Sequence, residues 1–225
     1  MKKYIIAPSV LSANFWDLKT ELTQLKELKV EWIHYDVMDF DFVPNLTFGP
    51  KILKDIISNI DLKIDIHFMI KNKQPKLIDF LMPFIECKPA MMTMHFEALN
   101  DLEIKEFVKI CKDNKIKASL AINPDKTVEE IKDYLSILDN VLVMSVFPGF
   151  GGQKFESNAL TNISCLKKII NEKKLSLTIE VDGGINSQTA ELVKKAGVDM
   201  IVAGSYLFGQ KDIQERLEIL KKDDN

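Results

Sequence analysis

His34 and Asp36 stand two residues apart in the stretch WIHYDVMDFDFVPN, residues 32–45. Residues 32–37 are bulky, aromatic or β-branched, as in a buried strand. Strand side chains alternate between faces, so His34, Asp36 and Met38 point the same way. An imidazole and a carboxylate on one face make half of a metal site. The same pair is equally readable as a core histidine hydrogen-bonded to its neighbour, because an unpaired buried charge is costly. Which reading holds depends on what the rest of the chain can bring alongside.

Eight short apolar runs, residues 5–9, 32–37, 63–69, 91–95, 117–122, 141–146, 177–182 and 200–203, have the character of strands. Between them lie segments of helical period. They cover residues 14–29, 50–60, 75–86, 101–114, 127–138, 157–173 and 187–196, and residues 212–222 close the chain. Pro50 and Pro75 suit first helical turns, and Thr127 with Glu130 has the form of a capping box. Strand and helix repeated eight times in 225 residues predict a single (β/α)8 barrel domain over residues 1–225, a repeat of roughly 25 to 30 residues. A doubly wound open sheet shows the same alternation, but it calls for a GxGxxG turn after the first strand. Ser9-Val10-Leu11-Ser12 has no glycine there.

In a barrel the chemistry sits at the C-terminal strand ends. All three histidines of the chain, His34, His67 and His95, fall at such ends, as do Ser9 and Asp182. His34, Asp36, His67 and Asp182 offer two imidazoles and two carboxylates. That mixed set suits zinc, iron(II), cobalt or manganese better than magnesium or calcium. Strands two and seven are three steps apart around the ring, so Asp36 and Asp182 are expected to face each other with the metal between. Two opposed carboxylates suggest acid/base work on both faces of a flat intermediate. The loops after strands six, seven and eight carry Gly149, Gly151, Gly152, Gly183, Gly184 and Gly204, and Gly209 lies just beyond; these are seven of the nine glycines. The usual phosphate site of this fold is built from the loops after strands seven and eight.

Composition sets bounds. A net charge of −3 and a pI near 5.7 argue against nucleic acid as a partner. They leave room for a phosphorylated ligand, because helix N-termini hold phosphate without lysine. Cys87, Cys111 and Cys165 are widely spaced, odd in number and form no CxxC, and are read as reduced core thiols of a cytoplasmic protein. The start, MKKYIIAPSVLSAN, imitates a signal peptide, but Pro8 interrupts its apolar run. No apolar stretch approaches the ~20 residues of a membrane span. Lys2, Lys3 and residues 221–225 are read as solvated ends.

The segments APSVLSANF, WIHYDVMDFDFVPN, DIHFMI, MSVFPGFGGQKF, EVDGGI and AGSYLF resemble those of the ribulose-phosphate 3-epimerase family, in its order and spacing and over nearly the whole chain. The resemblance implies a ribulose-phosphate-binding barrel that interconverts D-ribulose 5-phosphate and D-xylulose 5-phosphate in the pentose phosphate pathway, by two-base proton transfer at C3 through a metal-stabilised enediolate. It makes His34, Asp36, His67 and Asp182 the ligands of one divalent metal, with no organic cofactor, and Asp36 and Asp182 the two proton-transfer bases. Ser9, His67 and Asp182 would meet the substrate near the metal. Gly149, Phe150, Gly151, Gly152, Gly183, Gly184, Gly204 and Ser205 would hold its phosphate end. Met38, Met69 and Met144 match the family's apolar methionines around the reacting carbons, although by residue type alone they are equally core filler. His95 is expected to support the site without being a ligand. The resemblance also implies a homo-oligomer.

Two positions depart from the family. Phe40 stands where it usually has a small or polar residue, often glycine or asparagine, and Phe147 where it often has asparagine or glutamate. Both are expected to flank the pocket mouth. They leave open a 3-epimerase of a hexulose 6-phosphate such as D-allulose 6-phosphate. A phosphate-binding barrel without catalysis is the alternative outside enzymes, and the intact His/Asp/His/Asp quartet speaks against it.

Overall fold

The computed structural model describes residues 4–222. Strands and helices alternate strictly: β1 (Ile5–Pro8), α1 (Leu18–Glu27), β2 (Trp32–Met38), α2 (Pro50–Ile57), β3 (Lys63–Met69), α3 (Leu77–Ile85), β4 (Met91–His95), α4 (Asp101–Asp113), β5 (Lys117–Ile122), α5 (Val128–Ile131), β6 (Asn140–Met144), α6 (Asn158–Lys173), β7 (Thr178–Asp182), α7 (Ser187–Ala196), β8 (Met200–Ala203) and α8 (Ile213–Lys221). All strand pairs are parallel, in the order β1-β8-β7-β6-β5-β4-β3-β2. A parallel bridge between Ser9 and His34 joins the two end strands, so the sheet curls into a nearly closed barrel. The open-sheet alternative would leave β1 and β2 as separate edges.

Each strand is buried on both faces, which is why the strands read as apolar runs and not as alternating patterns. In β2, Ile33, Tyr35 and Val37 point outward into the main core between sheet and helices, while Trp32, His34, Asp36 and Met38 point inward. Inside the barrel, Trp32, Met91 and Met200 form an apolar plug with Ala7 and Val202. Asp65, Thr93, Ser119, Asn140 and Glu180 are fully buried polar residues of the strands. Several of them bond to one another: Thr93 Oγ1 donates to Asp65 Oδ1 (3.2 Å), and Asn140 Nδ2 donates to Ser119 Oγ (3.0 Å) and Glu180 Oε2 (2.9 Å), while Glu180 Oε1 has no hydrogen-bond partner.

The outer elements differ from expectation in several places. The segment 14–29 splits into a 3₁₀ turn at Phe15–Asp17, capped by Asn14, and then α1. The segment 127–138 is a helix only over Val128–Ile131. Beyond it the chain tightens into i→i+3 bonds, from Tyr134 N to Ile131 O and from Ile137 N to Tyr134 O. The predicted cap is visible there, as the Glu130 carboxylate accepts from Thr127 N at 3.0 Å. Pro50 is the first residue of α2, whereas Pro75 lies in the bend before α3. Cys87 and Cys111 are buried, but Cys165 is exposed and is not a core thiol, because it faces outward from α6. The run that imitated a signal peptide contains β1. Among the described residues no helix is long and apolar enough to cross a membrane. The expectations for Lys2, Lys3 and residues 223–225 lie outside the described residues.

Candidate active site

Two adjacent strands carry three of the four predicted ligands. The β2–β3 register sets His34 beside Asp65 and Asp36 beside His67. Asp182 arrives from the end of β7, on the far side of β1 and β8. One ligand atom from each of His34, Asp36, His67 and Asp182 lies within 4.8 Å of all the others. His34 Nε2 is 3.3 Å from Asp36 Oδ1, 3.2 Å from His67 Nδ1 and 3.9 Å from Asp182 Oδ2. His67 Nδ1 is 3.2 Å from Asp36 Oδ1. Two imidazole nitrogens and two carboxylate oxygens pointed at one spot are a donor set that fits a divalent metal.

The supporting contacts are equally specific. Ser9 Oγ donates to Asp36 Oδ2 at 2.6 Å. His34 Nδ1 lies 2.6 Å from Asp65 Oδ2, and a carboxylate there leaves Nε2 free to face the cluster. Thr47 Oγ1 donates to the Asp36 carbonyl (2.6 Å) and accepts from Met38 N (3.0 Å), tying down the end of β2.

Crowding buried charges splits the two aspartates. Burial pushes the Asp36 carboxyl up, but the His34 and His67 imidazoles outweigh it and hold Asp36 well below the usual carboxylate range. Burial also raises Asp182, to about 7, with Asp36 and Asp65 adding to the rise against the pull of His34. Burial would lower His34, yet Asp36 and Asp65 raise it well above the ordinary histidine value. Burial raises Glu180 to about 8, with the neighbouring Asp65 charge helping.

Above the cluster opens a cleft of about 560 Å³. Every predicted site residue except His34 and His67 lines it. Those are Ser9, Asp36, Met38, Met69, Met144, Gly149, Phe150, Gly151, Gly152, Asp182, Gly183, Gly184, Gly204 and Ser205. The two histidines are fully buried beneath its floor. Met38, Met69 and Met144 are buried and also line the cleft. Phe147 lines the cleft; Phe40 does not, and is 69% exposed.

At the other end of the cleft the glycines are demanded by geometry. Gly184 has φ +61, and a Cβ there would sit 2.7 Å from the backbone nitrogen of Phe155. Gly183, at φ +117, would strike Val146 at 2.5 Å. The six-seven loop pair is bound together by Ser145, whose backbone N–H donates to Asp182 O (2.8 Å) and whose hydroxyl donates to Gly183 O (2.6 Å). Gln153 Nε2 donates to Phe147 O (2.7 Å) and Phe150 O (2.8 Å), and Asn45 Nδ2 to Gly149 O (2.7 Å).

The cleft also contains residues that motif reading passed over, among them Leu11, Ser12, Val146, Gln153, Ile185 and Val202. Asp65 and Glu180 were missed as well, though a signal existed. Each lies two residues before a predicted ligand, on the same strand face.

A model of the ribulose-phosphate 3 epimerase family matches residues 5–208. The chain belongs to the ribulose-phosphate 3-epimerase family. It is thus an isomerase of a family that acts on phosphorylated pentoses. The ribulose-phosphate 3-epimerase of Bacillus subtilis (strain 168) is 38% identical over 96% of this chain and 97% of its own length. That of Escherichia coli (strain K12) is 35% identical over 99% of this chain and 97% of its own. The chloroplastic ribulose-5-phosphate-3-epimerase of Arabidopsis thaliana is 37% identical over 96% of this chain and 76% of its own. Among solved structures, a mutant tryptophan synthase α-subunit from Pyrococcus furiosus superimposes with a TM-score of 0.70 over 98% of this chain and 99% of that one. At 18% identity that likeness concerns the barrel fold alone.

Proposed function

We propose that the protein interconverts D-ribulose 5-phosphate and D-xylulose 5-phosphate by removing a proton from one face of C3 and returning one to the other. The observation that carries this reading is the convergence of two carboxylates and two imidazoles, mutually within 4.8 Å, at the floor of a glycine-walled cleft. Asp36 and Asp182 come from opposite sides of the barrel mouth and serve as the two bases. Asp36, held ionised and anchored by Ser9, is suited to take a proton; Asp182, raised to about 7, is suited to give one. The roles exchange when the reaction runs backward. His34, His67, Asp36 and Asp182 would hold one zinc, iron(II), cobalt or manganese ion. When bound, that cation supplies electrostatic stabilisation of the negative charge developing on the enediolate oxygens.

Ser9, His67 and Asp182 meet the reacting end of the sugar, and Met38, Met69 and Met144 keep water from the carbon centres. Gly149, Phe150, Gly151, Gly152, Gly183, Gly184, Gly204 and Ser205 bind the phosphate, whose fixed position orients C3 between the two aspartates. No organic cofactor is required for this proton transfer. The unpaired cysteines support a cytoplasmic setting.

The test is turnover of D-ribulose 5-phosphate before and after chelation, with zinc, iron(II), cobalt and manganese added back in turn. Activity that disappears on chelation and returns with metal supports the scheme. Undiminished activity in thoroughly chelated protein would sink the metal reading. Higher kcat/KM on a hexulose 6-phosphate would reassign the substrate.

A further inference from the structure

His67 and His34 reach the cluster through different ring nitrogens. His34 presents Nε2 and has a carboxylate, Asp65, directly on Nδ1 at 2.6 Å. His67 presents Nδ1, and its other nitrogen meets no carboxylate. His67 Nε2 instead lies 2.8 Å from Nε2 of His95, a second fully buried imidazole. His95 Nδ1 is 3.2 Å from Glu97 Oε2, and Glu97 Oε1 accepts from the backbone N–H of Asn123 at 2.8 Å. The four groups form one chain from the cluster outward across β3, β4 and the end of β5.

A bond between two imidazole nitrogens needs a proton on one and a lone pair on the other. Taken alone, the His67–His95 contact could run either way. If His95 donated, a neutral His67 would carry its proton on Nδ1, which would aim N–H at the cluster and block it as a ligand. Glu97 breaks the tie. Its carboxylate, one oxygen of which is already held by Asn123 N–H, accepts from His95 Nδ1. A neutral His95 then has only a lone pair at Nε2, so His67 must donate from Nε2 and keep its Nδ1 lone pair toward Asp36, His34 and Asp182. We infer that Glu97, through His95, is a positioning residue that fixes the tautomer of His67 and so makes it a competent metal ligand. Phe42 packs on the His95 ring with centroids 4.9 Å apart. Glu97 lines none of the cleft, and its bonded path to the site runs through these two rings.

The inference rests on the metal reading of the cluster, and its test separates the two. The chain has three histidines, so long-range ¹H–¹⁵N correlation spectra of the full-length, metal-free protein resolve each ring. The expected result is Nε2–H for His67 and Nδ1–H for His95. In Glu97→Gln the amide can donate to His95 Nδ1, so both tautomers are expected to reverse. Zinc affinity, read by competition with a chromophoric chelator, is expected to fall 10- to 100-fold, the usual consequence of losing a ligand's supporting partner. Glu97→Asp should recover part of both. Wild-type His95 carrying its proton on Nε2, or protons on both nitrogens, would overturn the relay even if zinc binds. Glu97→Gln with unchanged tautomers and zinc affinity within twofold would overturn it too. Correct wild-type tautomers without any zinc binding would overturn the metal reading, and the relay's purpose with it.

Discussion

The two ends of the cleft are built by opposite means. At the cluster end, side chains do the work. His34, Asp36, His67 and His95 are buried to the point of near-zero exposure, and each is held by at least one other side chain. At the glycine end, the backbone does the work, and at three positions there is no room for a side chain: a Cβ at Gly183, Gly184 or Gly204 would overlap Val146, Phe155 or Ser12. The difference follows from what each end is proposed to hold. Proton transfer and metal ligation need directed lone pairs with set protonation states. A phosphate needs several N–H donors converging on a bulky anion, which backbone supplies once side chains are removed.

This contrast predicts separable consequences. The largest effect belongs to the cluster. Asp36→Asn or Asp182→Asn should lower kcat by about 10³-fold or more while leaving the barrel folded by circular dichroism, since loss of general acid–base catalysis typically costs 10²–10⁴-fold. Near-full kcat in either variant would refute a two-base scheme. The same end should respond to pH. Burial raises the Asp182 carboxyl to about 7, so below that pH the metal-free protein is expected to hold a proton there, which must leave before the carboxylate can bind a cation. Apparent zinc affinity is therefore expected to weaken by about tenfold for each pH unit below 7 from this group alone, and to level off above it. A flat titration between pH 5 and 7 would show that Asp182 does not hold its proton in that range.

The glycine end should respond in KM. Gly184→Ala combines a positive φ with a backbone clash, so the loop must move. Losing one charge-assisted bond of about 1.5–3 kcal/mol gives roughly a tenfold or greater rise in KM for the phosphorylated sugar. kcat and zinc affinity should change far less, and a kcat loss equal to that of Asp36→Asn would erase the distinction between the ends. The smallest effect lies at Phe40. Its φ of +61 is a backbone conformation that glycine and asparagine adopt more readily than phenylalanine, and its side chain is exposed. The strained turn is held by the Asp39 carboxylate, which accepts from Asp41 N (2.8 Å) and Phe42 N (2.9 Å). Phe40→Gly should stabilise the fold by about 1 kcal/mol, read as a higher midpoint in urea, with kcat/KM unchanged. A large change in sugar preference would instead give Phe40 a role in the pocket.

Much of this molecule is legible in one dimension. Eight apolar runs separated by amphipathic segments impose the (β/α)8 alternation, because parallel strands buried on both faces and helices buried on one leave those two periods in the sequence. The rule that barrel chemistry sits at C-terminal strand ends then picks out Ser9, His34, Asp36, His67 and Asp182. Seven glycines crowded after the last three strands mark the other end of the cleft. Only tertiary structure decides who touches whom. His34 meets Asp65, and His67 meets Asp36, because β2 and β3 pair in one register, and nothing local to either strand encodes that offset. The polar residues Asp65, Thr93, Ser119, Asn140 and Glu180 find their partners across strands, in one another and in His34 and Thr178, so each alone reads as a misplaced polar group. The path from Glu97 through His95 to His67 crosses two strands and a loop. Its direction depends on a proton position that contacts from three separate segments determine together.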